Sequence, residues 1–127
     1  MSEWPGGIAA ITLFMDDLEA AKSFYENVFG LPVVYEDANS AVFKFGETLV
    51  NLLRATEAPS LVAPAAVAPA DSGVRFQFTL EVEDVDATCD ELKSLGVELL
   101  NGPMDRPWGI RTASFRDPGG HIWEIAR

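Results

Sequence analysis

The chain has 127 residues, 48% of them hydrophobic and 23% charged, with twenty acidic against nine basic side chains and a formal net charge of −11. A chain of this size and apolar content can bury a core of its own, and it has no charge block or polar low-complexity run of the kind that keeps a segment disordered. The acidity repels a polyanion at long range and argues against nucleic-acid binding, while a single cysteine, Cys89, excludes an intramolecular disulfide and a thiolate-rich zinc site.

The first residues, Met1-Ser2-Glu3-Trp4-Pro5-Gly6-Gly7, lack the basic start and apolar run of a signal peptide, and no stretch approaches the ~18 apolar residues of a membrane span. A soluble, cytoplasmic protein without a membrane partner is expected. Ile8 to Met15 are apolar apart from Thr12 and rich enough in β-branched residues to predict a buried strand. Asp17 then suits a helix N-cap, with Glu19 in the first turn. Leu18, Ala21, Tyr25 and Val28 recur at helical spacing until Gly30 and Pro32 end the helix. Three short strands follow, Pro32 to Glu36, Ser40 to Phe45 and Thr48 to Leu53, separated by turns at Asp37-Ala38-Asn39 and Gly46-Glu47.

Ala55 to Gly73 is rich in alanine and carries Pro59, Pro64 and Pro69, which disfavour both helix and central strand, so a connector is predicted. Its functional alternative is a flap over a pocket. The first grammar then returns: a strand over Phe76 to Val82, an Asp84 cap, and a helix carrying Val85, Cys89, Leu92 and Leu95 before Gly96. Strands over Val97 to Leu100, Ile110 to Arg116 and His121 to Ala126 complete it, with breaks at Pro107-Trp108-Gly109 and Pro118-Gly119-Gly120. Superposing Asp17 on Asp84 pairs Thr12 with Thr79, Leu13 with Leu80 and Ala20 with Ala87, the mark of a diverged repeat. The prediction is an α+β fold of two tandem βαβββ modules in one domain, 1–127: module one 8–54, linker 55–73, module two 74–127.

Two such modules, with Asp17-Leu18-Glu19-Ala20-Ala21, Phe24-Tyr25 and Phe29-Gly30-Leu31 in the first and Pro107-Trp108-Gly109-Ile110-Arg111 and Phe115 through Ile125 in the second, resemble the vicinal oxygen chelate superfamily. That superfamily includes glyoxalase I, bleomycin resistance proteins and extradiol dioxygenases. The resemblance implies a cup-shaped mixed sheet around a small-molecule ligand, and a homodimer. Metal-dependent members place His, Glu or Gln ligands on the first and last strands of each module, places that fall here on Ala10, Asn51, Gln77 and Glu124. An alanine, two neutral amides and one carboxylate make a poor cage for a divalent cation, so no metal ligand and no cofactor are expected. A divalent metal held by Glu124, Gln77 and His121 or by the substrate is the alternative.

His121 lies an odd number of strand positions from Glu124 and therefore faces away from it, which predicts a turn-adjacent histidine bonded to backbone or solvent. Cys89 belongs to the apolar stripe of the second helix rather than to a nucleophile site. If the four ligand places face inward, strand alternation adds Thr12, Phe14, Leu49, Leu53, Thr79, Glu81 and Ile122 to that face. Trp108 and Arg111 flank a hairpin tip where an indole stacks on a ligand and a guanidinium pairs with its carboxylate. The competing account has Trp108 capping the core and Arg111 in a surface ion pair. The candidate ligand-binding residues are thus Phe14, Asn51, Gln77, Thr79, Trp108, Arg111 and Glu124, with Glu124 the one catalytic candidate. A metal-independent binding protein for a drug-like, aromatic or cationic molecule is expected. The alternatives are a metal-assisted lyase, isomerase or dioxygenase, a metal-free enzyme using Glu124 as base, or a purely structural role.

Overall fold

The computed structural model describes residues 3–127. In the first half, β1 (Ala10–Met15) leads into α1 (Leu18–Phe29), followed by β2 (Val33–Glu36), β3 (Ser40–Phe45) and β4 (Thr48–Arg54). The Asp17 carboxylate accepts the Ala20 N–H at 3.0 Å, satisfying one of the helix's orphan donors, and Gly30 ends the helix in the left-handed region at φ 65. The sheet order is β1-β4-β3-β2, with β1 parallel to β4 and the other pairs antiparallel. A parallel pair needs a crossover, and α1 supplies it. The helix packs on β3 and β4 through Leu18, Ala21 and Tyr25, against Leu13, Met15, Phe43, Val50 and Leu52 of the sheet. Tyr25 sits 5.5 Å from the Phe43 ring and 5.2 Å from that of Phe29. The strand starts later than the apolar run suggests. Ile8 is exposed, although its carbonyl still accepts the Thr48 hydroxyl.

The connector is not free of helix. A 3-10 turn covers Ala55–Glu57 and a short α2 covers Pro59–Val62, with Pro59 in the first turn, the one place where its missing N–H costs no helical bond. The chain divides into two compact units, one ending at Pro69 and the other Ala70–Arg127. The end of the predicted linker therefore belongs to the second unit.

That unit repeats the order with β5 (Gln77–Glu81), α3 (Val85–Ser94), β6 (Leu99–Asp105), β7 (Arg111–Arg116) and β8 (Ile122–Ala126), arranged β5-β8-β7-β6 with β5 parallel to β8. Asp84 caps α3 as Asp17 caps α1, accepting from Ala87 N–H at 3.0 Å. The helix stops one residue before Leu95, which is exposed and so stands outside the buried stripe of Val85, Cys89 and Leu92. β6 also departs from expectation: it begins at Leu99 and runs on to Asp105, with register shifts spanning Gly102 and Pro103. A bulge lets a proline occupy a strand that otherwise could not hold it. α3 covers β6 and β7, and Ala113, Phe115, Trp123 and Ile125 are buried on that side of the sheet. No helix among the described residues is long and apolar enough to cross a membrane.

Candidate functional site

Each sheet has one face covered by its helix; on the opposite face of the second sheet Thr112, Ser114, Ile122 and Ala126 are also buried, while Thr79 and Gln77 are exposed. In the first unit Leu13, Met15, Val50 and Leu52 are buried beneath α1, so alternation puts Ala10, Thr12, Phe14, Leu49, Asn51 and Leu53 on the opposite face. The register pairs Ala10 with Leu49, Thr12 with Asn51 and Phe14 with Leu53. This face is largely apolar, and its one amide is unusual: Asn51 Oδ1 is closed off from solvent and has no hydrogen-bond partner among the described residues. A buried acceptor left unmatched costs about 1–3 kcal/mol, which makes it a place where a donor is wanted.

The corresponding face of the second unit is polar. Glu124 is flanked in register by Thr79 on β5 and Ser114 on β7, with Asn101 of β6 beyond Ser114. The Thr79 hydroxyl donates to Glu124 Oε1 at 2.9 Å. Thr12 and Asn51 occupy the positions in the first unit that Thr79 and Glu124 occupy in the second, since both pairs are partners in the parallel first-to-last strand ladder. Gln77 opens the same edge and is exposed, paired in register with Ile122.

Two residues from the hairpin β6–β7 divide differently from expectation. Arg111 shares its strand face with Ala113 and Phe115, the helix-covered side. Its Nε and Nη2 meet the Asp86 carboxylate at 2.8 and 2.9 Å, and Nη1 meets Asp105 at 3.0 Å. The guanidinium therefore ties β7 to the first turn of α3, the ion pair of the competing account. It holds the Asp86 carboxyl below its ordinary range through these hydrogen bonds, while the two aspartates push Arg111 upward. Trp108 stays at the hairpin tip, 69% exposed, with the Cζ of Arg106 5.9 Å from its ring centroid. It caps no core.

Arg106 is the residue that sequence reasoning missed. Its Nε donates to Thr112 Oγ1 at 2.8 Å and its Nη2 to Asn101 Oδ1 at 3.3 Å. Thr112 stands two places from Ser114 on β7, so Arg106 lies on the Glu124 face. The alternation of Thr112 and Ser114 with Ala113 and Phe115 along β7 was the available signal.

His121 faces away from Glu124, but its partner is neither backbone nor solvent. Nδ1 lies 3.0 Å from both oxygens of Asp117, whose buried carboxylate also accepts the backbone N–H groups of Gly119 and His121 at 2.9 Å each. The carboxylate thus organises the Asp117-Pro118-Gly119-Gly120 turn. Cys89 is buried, and that burial pushes its thiol above the ordinary value, leaving it inert at neutral pH.

The family profile of the Glyoxalase/Bleomycin resistance protein/Dioxygenase superfamily matches residues 7–125. The chain belongs to this superfamily. YraH of Bacillus subtilis (strain 168) is 35% identical over 119 residues, 91% of this chain and 93% of the relative. A lactoylglutathione lyase from Agrobacterium tumefaciens superposes with a TM-score of 0.76 at 28% identity, covering 96% of this chain and 93% of that one. A glyoxalase/bleomycin resistance protein/dioxygenase from Nocardioides reaches 0.86 at 25% identity, covering 98% and 85%.

Within this superfamily the donor set here is depleted. Ala10 offers a methyl group, Asn51 and Gln77 offer neutral amides, and Glu124 is the one carboxylate at the four places. Among the described residues no group of three or more His, Cys, Asp or Glu side chains is arranged to hold a metal ion. The residues present do not fit a divalent-metal centre.

Proposed function

We propose that this superfamily member is a metal-independent binding protein for a small, flat molecule carrying a cationic or hydrogen-bond-donating group. The observation that carries the reading is Glu124. It is a half-buried carboxylate that accepts the Thr79 hydroxyl and shares its sheet with the neutral amide of Gln77. A carboxylate in a partly desolvated setting attracts an amine or amidine more strongly than one in bulk water. The first unit, taken by itself, has a sheet face on which the unmatched Asn51 carbonyl wants a donor and Phe14, Leu49 and Leu53 are apolar. The net charge of −11 draws cations toward the protein. The protein acts in the cytoplasm as a homodimer.

Protein purified without chelator should contain substoichiometric metal and give no binding heat with zinc, nickel, manganese or iron(II). Aromatic amines should quench or shift its tryptophan fluorescence saturably, and Glu124→Gln should remove that response. Near-stoichiometric metal, lost on Glu124→Ala together with turnover of a vicinal-oxygen substrate, would replace this reading with a metal-assisted lyase, isomerase or dioxygenase. The similarity to the Agrobacterium lactoylglutathione lyase is what favours that second reading.

A further inference from the structure

Arg106 and Glu124 share one sheet face, and the two are not ion-paired with each other. Both Arg106 partners, the Thr112 hydroxyl and the Asn101 carbonyl, are neutral. No ion pair among the described residues involves Arg106, whereas Arg111 is matched by two carboxylates. A guanidinium has five N–H donors, and these bonds use two, leaving the Nη1 pair and one on Nη2. The side chain is held in one orientation by a buried threonine and a strand asparagine, yet its charge is unspent. That is the condition for bidentate recognition of an oxyanion with little ordering cost. Trp108, against the same guanidinium, adds an exposed flat surface for an aromatic ring.

The spacing of the charges follows from the ladder. Glu124 lies opposite Ser114, and Thr112 is the diagonal neighbour, so the Glu124 and Thr112 positions are roughly 7–8 Å apart. We propose that Arg106 is the anion-recognising residue of this face and that the ligand is amphoteric. A carboxylate or phosphonate engages the Arg106 fork, an aromatic body lies along Trp108, and a cationic group reaches Glu124. This rests on the reading of Glu124 given above and adds the second charge.

The test is calorimetric titration of the full chain with benzoate, phenylphosphonate, benzylamine and 4-(aminomethyl)benzoate. The amphoteric compound should bind about tenfold or more tightly than either singly charged one, because the second contact forms intramolecularly. R106Q should weaken benzoate and 4-(aminomethyl)benzoate by about tenfold and leave benzylamine within about twofold. R106K, which keeps the charge without the fork, should also bind benzoate more weakly than the parent, and it serves if R106Q does not fold. Tighter binding of phenylphosphonate than of benzoate assigns the oxyanion to a phosphonate, and the reverse assigns it to a carboxylate. Oxyanion affinities unchanged in both variants, or oxyanions that do not saturate the parent, overturn the Arg106 assignment. If benzylamine still binds in a Glu124-dependent way in that case, the earlier reading stands and only the second charge is lost.

Discussion

Gly102 joins β6 to the Arg106 cluster, and replacing it with alanine is a sharp test of that packing. At φ +86 the residue lies in the left-handed region, and an added Cβ would meet Thr112 O at 2.5 Å, Ala113 Cα at 2.7 Å and Ala113 Cβ at 2.9 Å. All three atoms are fixed to the backbone of β7, so no side chain can swing aside and the two strands must separate. The left-handed backbone costs an alanine ~1–2 kcal/mol, and overpacking of this kind adds ~1–3 kcal/mol. Gly96, at φ +82 with nothing within 4 Å of an added Cβ, provides the control that has the strain without the clash. Urea unfolding followed by tryptophan fluorescence should show Gly96→Ala losing about 1–2 kcal/mol and Gly102→Ala losing about 1–3 kcal/mol more, with unchanged m. Equal losses, within about 0.5 kcal/mol, would refute the close β6–β7 approach. The strand pairing that carries Asn101 and Thr112 to Arg106 would fall with it.

The two helix caps should be separable from packing. Asp17→Ala and Asp84→Ala should each cost ~0.5–2 kcal/mol in thermal or urea unfolding, with serine at either position recovering most of the loss; no loss would remove the capping assignment. Asp37 gives a pH signature. The Asn39 N–H foremost, then the Ser40 hydroxyl, lower its carboxyl from the ordinary 3.8. A lowered folded-state value means the stabilisation is complete above the unfolded value and is lost as pH falls through the folded one. Asp37→Asn should therefore melt below the parent at neutral pH, and the gap should close in acid. A gap that persists unchanged into strong acid would count against it.

Both modules, their order and both caps were legible because each rests on local chemistry: a period of two or 3.6, an aspartate before an apolar stripe, a glycine or proline after it. The departures are places where a nonlocal partner decided the outcome. The strand expected over Val97 to Leu100 instead starts at Leu99, and a bulge against β7 accommodates Pro103 so that it continues to Asp105. The hairpin tip left Arg111 open between a ligand contact and a surface ion pair, and the ion pair is what the structure shows. Its parity with Ala113 and Phe115, which is readable from the chain, already placed it under α3, where Asp86 waits. His121 was read against its own strand, and what claimed it was the Asp117 carboxylate folded back through the preceding turn.

The repeat also explains why the two sheet faces differ so much in character. Thr79 with Glu124 is a satisfied hydroxyl–carboxylate pair, whereas Thr12 with Asn51 leaves an orphaned carbonyl. The same ladder position is thus a carboxylate in one module and a neutral amide in the other. The position of Glu124 beside a guanidinium held only by neutral acceptors is what makes a ligand with two opposite charges the economical explanation for both.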